Sequence, residues 1–381
     1  MKLLGKERWA LAPQRRRAVA VASVIACIGV FALDALLFRT DFYPSILDPD
    51  SSSGLFELIL RREQNAQARG GANLVVTLGN SRFAYSVKVL DQRGLDQPYR
   101  LRDAGIAGSD PRIWYYMLRD LDPTRRRYRA VVMAMDDYDD EDRAYNPANE
   151  IKDLHYVIVR LGLSDAYTFA RSFEQKQLQW QALRGAILKG IVFQEDIRAF
   201  LAQPLHRIEY VKLCNRDYPS WAYDYQETTR SMVGLKIDWS TLKVTFPPGA
   251  DDGQRATVNS FLAHPVEPQT GSLAAFRRTW LGRIIDLYRG SDTRIVFIQL
   301  PRGPIPRPDG LSLKLSSSIR ELASRPNVAL VDEHAFDALE RPELFRDGMH
   351  LNREGIERFS VMLAQEIDKL LGPPEQTKAA R

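Results

Sequence analysis

The chain has 381 residues, 45% of them hydrophobic, enough for one large α/β domain with an insertion or for two domains. Its net charge of +5 is modest and gathered largely in two arginine clusters, so no basic surface marks a nucleic-acid binder. Two cysteines, Cys27 and Cys214, lie far apart, which excludes a disulfide framework and a cysteine metal site.

Lys2, Lys6, Arg8 and Arg15 to Arg17 precede an apolar run from Ala18 to Phe38 that is broken only by Asp34. The run is long enough to cross a bilayer, exceeds a usual signal-peptide core and has no small-x-small cleavage site behind it, so it reads as an uncleaved anchor. The charge bias places residues 1–40 as a cytoplasmic N-terminus and span, with the rest of the chain in the periplasm or outside the cell. Asp34, a turn from the outer end, is expected to reach the headgroups; contact with a membrane partner is the alternative. Ser51 to Ser53 then open a capped amphipathic helix closed by Gly70 and Gly71, giving a juxtamembrane segment over 41–71.

The main domain is expected over 72–372. Leu74 to Leu78 read as a short buried strand, ended by a turn at Gly79 and Asn80 that displays Ser81 at the strand's carboxyl end. In a parallel sheet that edge lines the ligand crevice. Ser81 has two readings, a cap for a helix from Phe83 to Leu90 or a nucleophile. A loop from Asp103 to Gly108, a helix from Pro111 to Leu121, a solvated basic turn at Arg125 to Arg127 and a strand from Arg129 to Met135 follow. The acidic run Asp136 to Asp142 lacks EF-hand spacing and reads as a solvated loop, so no metal is expected.

From about 151 to 269 the strand and helix alternation is lost, and the segment reads as an insertion. It holds helical sequence from Gln177 to Leu201, then Tyr218, Trp221, Tyr223, Tyr225 and Trp239, aromatics suited either to stacking on sugars or to anchoring irregular chain. Trp221 is a candidate substrate contact. Order resumes with a helix from Gly271 to Tyr288, a strand from Arg294 to Leu300, a proline-rich loop, a helix from Leu311 to Ala323 and a strand from Val328 to Val331. The block Arg346 to Gly355 precedes a last helix, Arg353 to Leu371, and a tail at 373–381 expected to be disordered.

A serine hydroxyl needs an imidazole to take its proton and a carboxylate to fix that imidazole's tautomer. Asp347 and His350, three apart before the last helix, are the candidates. Asp153 with His155 and Asp332 with His334 are rival pairs; His206 and His264 have no partner spacing.

With Gly79-Asn80-Ser81 near the start and Asp347-Gly348-Met349-His350 near the end, the chain resembles the SGNH, or GDSL-like, hydrolase superfamily. The resemblance implies a three-layer, parallel-sheet α/β domain, flavodoxin-like in plan, with an inserted helical or irregular region and one transmembrane helix before it. It implies Ser81 as nucleophile, His350 as general base and then acid, and Asp347 as its orienter, without a cofactor. Asp103-Ala104-Gly105-Ile106-Ala107-Gly108 fits the family's second block and nominates the Gly108 amide, beside that of Ser81, for the oxyanion. Asp136 stands where the family has an asparagine donor. An ionised carboxylate accepts hydrogen bonds and cannot replace that amide. Asn80 and Arg82 are candidate substrate contacts.

The function implied is an extracytoplasmic serine acyl-esterase or O-acyltransferase. Its acceptor would be a cell-envelope or secreted polysaccharide, and it would work beside a multispanning membrane acyltransferase. A lipid esterase is the enzymatic alternative. A catalytically silent glycan-binding scaffold is the alternative from another class, motivated by Asp136 and the aromatic-rich insertion.

Overall fold

The structure, a computed structural model, describes residues 13–68, 73–83, 98–135, 147–217, 232–262, 271–308 and 317–373. Its strands are β1 (Leu74–Leu78), β2 (Arg100–Asp103), β3 (Ala130–Met135), β4 (Lys236–Asp238), β5 (Lys243–Thr245), β6 (Arg294–Gln299) and β7 (Val328–Leu330). The helices are α1 (Pro13–Phe38), α2 (Ser52–Ala68), α3 (Pro111–Leu121), α4 (Pro147–Val157), α5 (Leu163–Arg171) and α6 (Lys176–Ile187). They continue with α7 (Gln194–Ala202), α8 (Pro204–Asp217), α9 (Asp252–Leu262), α10 (Ser272–Leu287), α11 (Ser317–Ala323) and α12 (Arg353–Leu371).

Five strands form one parallel sheet in the order β2-β1-β3-β6-β7, and β4 and β5 make a separate antiparallel hairpin. The central strands are apolar because both their faces are covered. Val75, Val132, Val296 and Ile298 pack with Phe359, Leu363 and Ile367 of α12. The alternate residues Val76, Val131, Met133, Ile295 and Phe297 are equally buried on the opposite face. Burying a side chain of this size stabilises by about 1.5–3 kcal/mol. From β1 the chain goes to one side for β2 and to the other for β3, so the strand order reverses between β1 and β3. A crevice opens at the carboxyl ends of strands at such a reversal.

The helix ends are set by local chemistry. Asp110 caps α3, its Oδ1 accepting the amides of Arg112 at 2.9 Å and Ile113 at 3.4 Å, with Pro111 at the first helical position. Asn352 caps α12 through a 2.9 Å bond from the Gly355 amide.

The chain divides into two compact units, Met1–Leu47 with Ile158–Arg207, and Asp48–Val157 with Ile208–Arg381. The sheet lies wholly in the second. The apolar helix and the first part of the expected insertion therefore form one unit, while the hairpin and α9 group with the sheet. In the first unit the described part of α1 includes a 22-residue stretch, Arg17–Phe38, of mean hydropathy 2.4, long and apolar enough to cross a membrane. Phe38 stacks on Phe193 at 5.2 Å and meets Tyr43 edge-on at 4.9 Å, and Tyr43 donates to Asp196 at 2.6 Å. Asp34 departs from the expectation that it reaches the headgroups. It is 7% exposed and accepts the Gly190 amide at 2.7 Å and the Lys189 amide at 3.2 Å. The physical reason is that a carboxylate next to an apolar span is costly unless backbone donors are brought to it.

β2 escaped the reading of the sequence; its Arg100 and Arg102 flank a single buried Leu101, and its pairing to β1 is tertiary. Several expectations lie outside the described residues: the helix beyond Phe83, the Gly70-Gly71 end, the acidic run, the aromatics at 218 to 225, residues 311–316 and the tail from 374.

Candidate active site

Ser81 sits in a turn directly after β1. Gly79 makes that turn possible, since a Cβ there would lie 2.7 Å from the Phe83 side chain. The Asn80 side chain accepts the Arg82 amide at 3.0 Å and the Asn80 carbonyl accepts the Phe83 amide at 3.0 Å, which rigidifies the turn. The neighbouring loop is stitched to the same strand end. Thr77 and Gly79 carbonyls accept the amides of Ala104 and Ile106, each at 3.0 Å, and Gly79 also accepts the Ser109 hydroxyl at 3.1 Å. Trp114 of α3 donates to Ser109 Oγ at 2.8 Å and so fixes that hydroxyl. Gly108 lies in this loop at φ +71°, a conformation that favours glycine, and Tyr156 of α4 donates to the adjacent Ala107 carbonyl at 2.9 Å.

His350 and Asp347 arrive from the loop between β7 and α12. Ser81 Oγ is 3.0 Å from His350 Nε2, and His350 Nδ1 is 2.9 Å from Asp347 Oδ2. Asp347 Oδ1 also accepts the amides of Met349 at 2.9 Å and His350 at 2.8 Å, so the carboxylate organises the turn that carries the imidazole. Burial pushes the Asp347 carboxyl up. The His350 ring and the two amides outweigh that and hold it below the usual carboxylate range. With Asp347 ionised, Nδ1 carries the ring proton and Nε2 is left to accept from the serine hydroxyl. Among the described residues, no acceptor lies on the amides of Ser81 and Gly108.

Arg82 links this constellation to the loop after β6. Its guanidinium donates to the carbonyls of Pro301 at 2.5 Å, Arg302 at 2.8 Å and Met349 at 3.3 Å, and lies over the Phe261 ring at 5.2 Å. Arg82 was expected among substrate contacts; here its donors clamp three backbone carbonyls, one of them next to His350. The β6 loop is anchored in turn by Glu340, which accepts the Arg302 amide at 2.8 Å and Arg307 Nε at 2.7 Å. Burial raises the Glu340 carboxyl to about 7 against the lowering effect of Arg307.

One wall of the site was not foreseen. A Cβ on Gly348 would meet the Gln254 carbonyl at 3.2 Å and Thr257 at 3.3 Å, so α9, inside the expected insertion, lies against the turn that carries His350. Amphipathic sequence over 252–262 was the available signal, but it does not say what the helix packs on.

The rival pairs are committed elsewhere. Asp153 is buried and ion-paired at 3.1 Å with the buried Arg112, whose guanidinium lies over the rings of Phe276 and Trp280. His334 pairs with Asp337 at 2.8 Å, while Asp332 holds its own turn, its carboxylate accepting the His334 amide at 2.8 Å and its carbonyl the Ala335 amide at 2.9 Å. Asp136, Trp221 and His264 lie outside the described residues. Among the described residues no three His, Cys, Asp or Glu side chains are placed to hold a metal ion. No family model matches the chain, and no curated protein matches its sequence.

Proposed function

We propose that the chain is an extracytoplasmic serine acyl-esterase or O-acyltransferase of SGNH type, held to the membrane by α1. The observation that carries this reading is the unbroken relay Ser81 Oγ, His350 Nε2, His350 Nδ1 and Asp347, with its steps at 3.0 and 2.9 Å. The β2-β1-β3-β6-β7 order, with Ser81 at the strand-order reversal, supports the SGNH layering.

His350 Nε2 takes the Ser81 proton as Oγ attacks the ester carbonyl of an acyl donor. The negative charge on the tetrahedral oxygen is met by the Ser81 and Gly108 amides, and Asp347 stabilises the imidazolium. His350 then returns its proton to the departing alkoxide, leaving an acyl-serine. Water or a sugar hydroxyl, deprotonated by the same imidazole, attacks this ester and releases Ser81. With Asp136 in place of an amide donor, the two backbone amides carry the oxyanion. Losing one side-chain donor costs about a hundredfold to a thousandfold, so a slow enzyme is expected.

The acceptor is a cell-envelope or secreted polysaccharide, the acyl donor is delivered by a multispanning acyltransferase, and the N-terminus is cytoplasmic. The test is acid quenching of full-length protein in detergent with p-nitrophenyl acetate, followed by peptide mass spectrometry. An acetyl group on the Ser81 peptide, absent in Ser81→Ala, is the expected result. No adduct on a folded wild type would contradict catalysis and favour the silent scaffold, whose motive is Asp136.

A further inference from the structure

The first unit holds a feature that the acyl-transfer reading does not use. The short helical turn Lys189–Ile191 is attached to α1 at Asp34, four residues before the end of the apolar stretch. At 1.5 Å of rise per residue the stretch Arg17–Phe38 is about 33 Å long, and Asp34 lies about 6 Å inside its outer end. A segment bonded to Asp34 therefore shares its depth. Arg39, just past the stretch, donates to the carbonyls of Ala186 at 2.8 Å and Ile187 at 3.0 Å, which fixes the end of α6 at the same level.

We infer that Ile187 to Val192 form a foot seated at the boundary of headgroups and acyl chains in the outer leaflet, with Ile187 and Ile191 in contact with lipid. The inference rests on the reading of α1 as a membrane span. Two observations beyond the attachment support it. Ile187 and Ile191 are 40% and 42% exposed on either side of the buried Lys189, so part of each apolar side chain is left uncovered by protein. The backbone is also equipped for a medium without water, where unsatisfied amides cost several kcal/mol. Leu188 donates to Arg184, Lys189 and Gly190 to Asp34, Ile191 to Leu188, and Val192 and Phe193 to Lys189. The Lys189 ammonium is turned inward onto the Val159 carbonyl. Trp180 and Arg184 continue the Ile187 face at helical spacing, with the guanidinium 6.0 Å over an indole that is 58% exposed, a pairing suited to the headgroup zone.

Asp34 is then a fastener for the foot. The test places an environment-sensitive fluorophore on a single new cysteine of the full chain in phosphatidylcholine vesicles carrying doxyl-lipid quenchers. Cys27→Ala removes the exposed native thiol, and Cys214 is fully buried. Labels are compared at Ile191→Cys, Ile187→Cys and Leu36→Cys in the span, with the same fluorophore on glutathione in the bulk water as the unquenched reference. Shallow quenching at Ile191→Cys and Ile187→Cys within about twofold of Leu36→Cys, and several times that of the glutathione adduct, is expected for apolar side chains at the acyl boundary. Quenching of both foot positions no greater than that of the glutathione adduct, with Leu36→Cys strongly quenched, overturns the foot and leaves the span standing. Loss of quenching at Leu36→Cys as well overturns the span itself.

Discussion

Two aspartate–histidine pairs in the sheet unit have almost the same bond and opposite contexts. His334 Nδ1 lies 2.8 Å from Asp337 Oδ2 and His350 Nδ1 lies 2.9 Å from Asp347 Oδ2, each across three residues. The first pair is on the surface, with both side chains more than a third exposed. The second has its far nitrogen on a serine and its carboxylate tied to two backbone amides. An acid beside an imidazole is therefore not a site in itself. What distinguishes the second pair is its placement beside the carboxyl end of β1, where the Ser81 hydroxyl is displayed.

The sharpest way to break this contrast is Asp347→Asn. The amide keeps the shape but cannot hold the same imidazole tautomer, so kcat for ester hydrolysis is expected to fall by about 10⁴-fold. Asp337→Asn, the matched change in the surface pair, is expected to leave the rate unchanged, and steady-state kinetics on both variants checks the contrast. Arg82→Ala loosens the loop that carries His350 without touching the relay. A loss of about tenfold to a hundredfold in kcat/KM is expected from the misplaced base, with fluorophosphonate labelling slowed but still dependent on Ser81.

Acid titration separates the pairs more gently. Folded Asp347 lies below its ordinary value of 3.8. Its contribution to stability is therefore complete above that value and lost as the pH falls through the lower folded one. In urea unfolding, the gap between wild type and Asp347→Asn is expected to hold at neutral pH and to shrink below about pH 4. The smallest effect belongs to His334→Ala, expected to change stability by no more than about 0.5 kcal/mol and activity not at all.

Much of this contrast was legible in the sequence because the signals are local. An apolar run closed by Gly79 and Asn80 announces a strand that stops, and Asp347 to His350 is a turn that its own carboxylate can organise. Arg82, by contrast, binds carbonyls more than two hundred residues away, and no periodicity encodes that. The sequence places Asp34 at the headgroups, whereas its partners are backbone amides of Lys189 and Gly190, which have no sequence signature at all. β2 was missed because one buried leucine between two arginines gives an edge strand too little pattern, and α9 because amphipathicity names a buried face and not its neighbour. The candidate relay was readable from the residues; the clamp and the wall that hold it were tertiary.

The central claim is that Ser81 is activated by His350 and not by any other histidine. Fluorophosphonate labelling of the full-length protein in detergent tests it most directly, comparing wild type with Ser81→Ala, His350→Ala and His334→Ala. Labelling of wild type and His334→Ala at equal rates, with none in the other two, is the predicted result. Labelling that survives in His350→Ala, or that fails in wild type while circular dichroism shows it folded, would contradict the account.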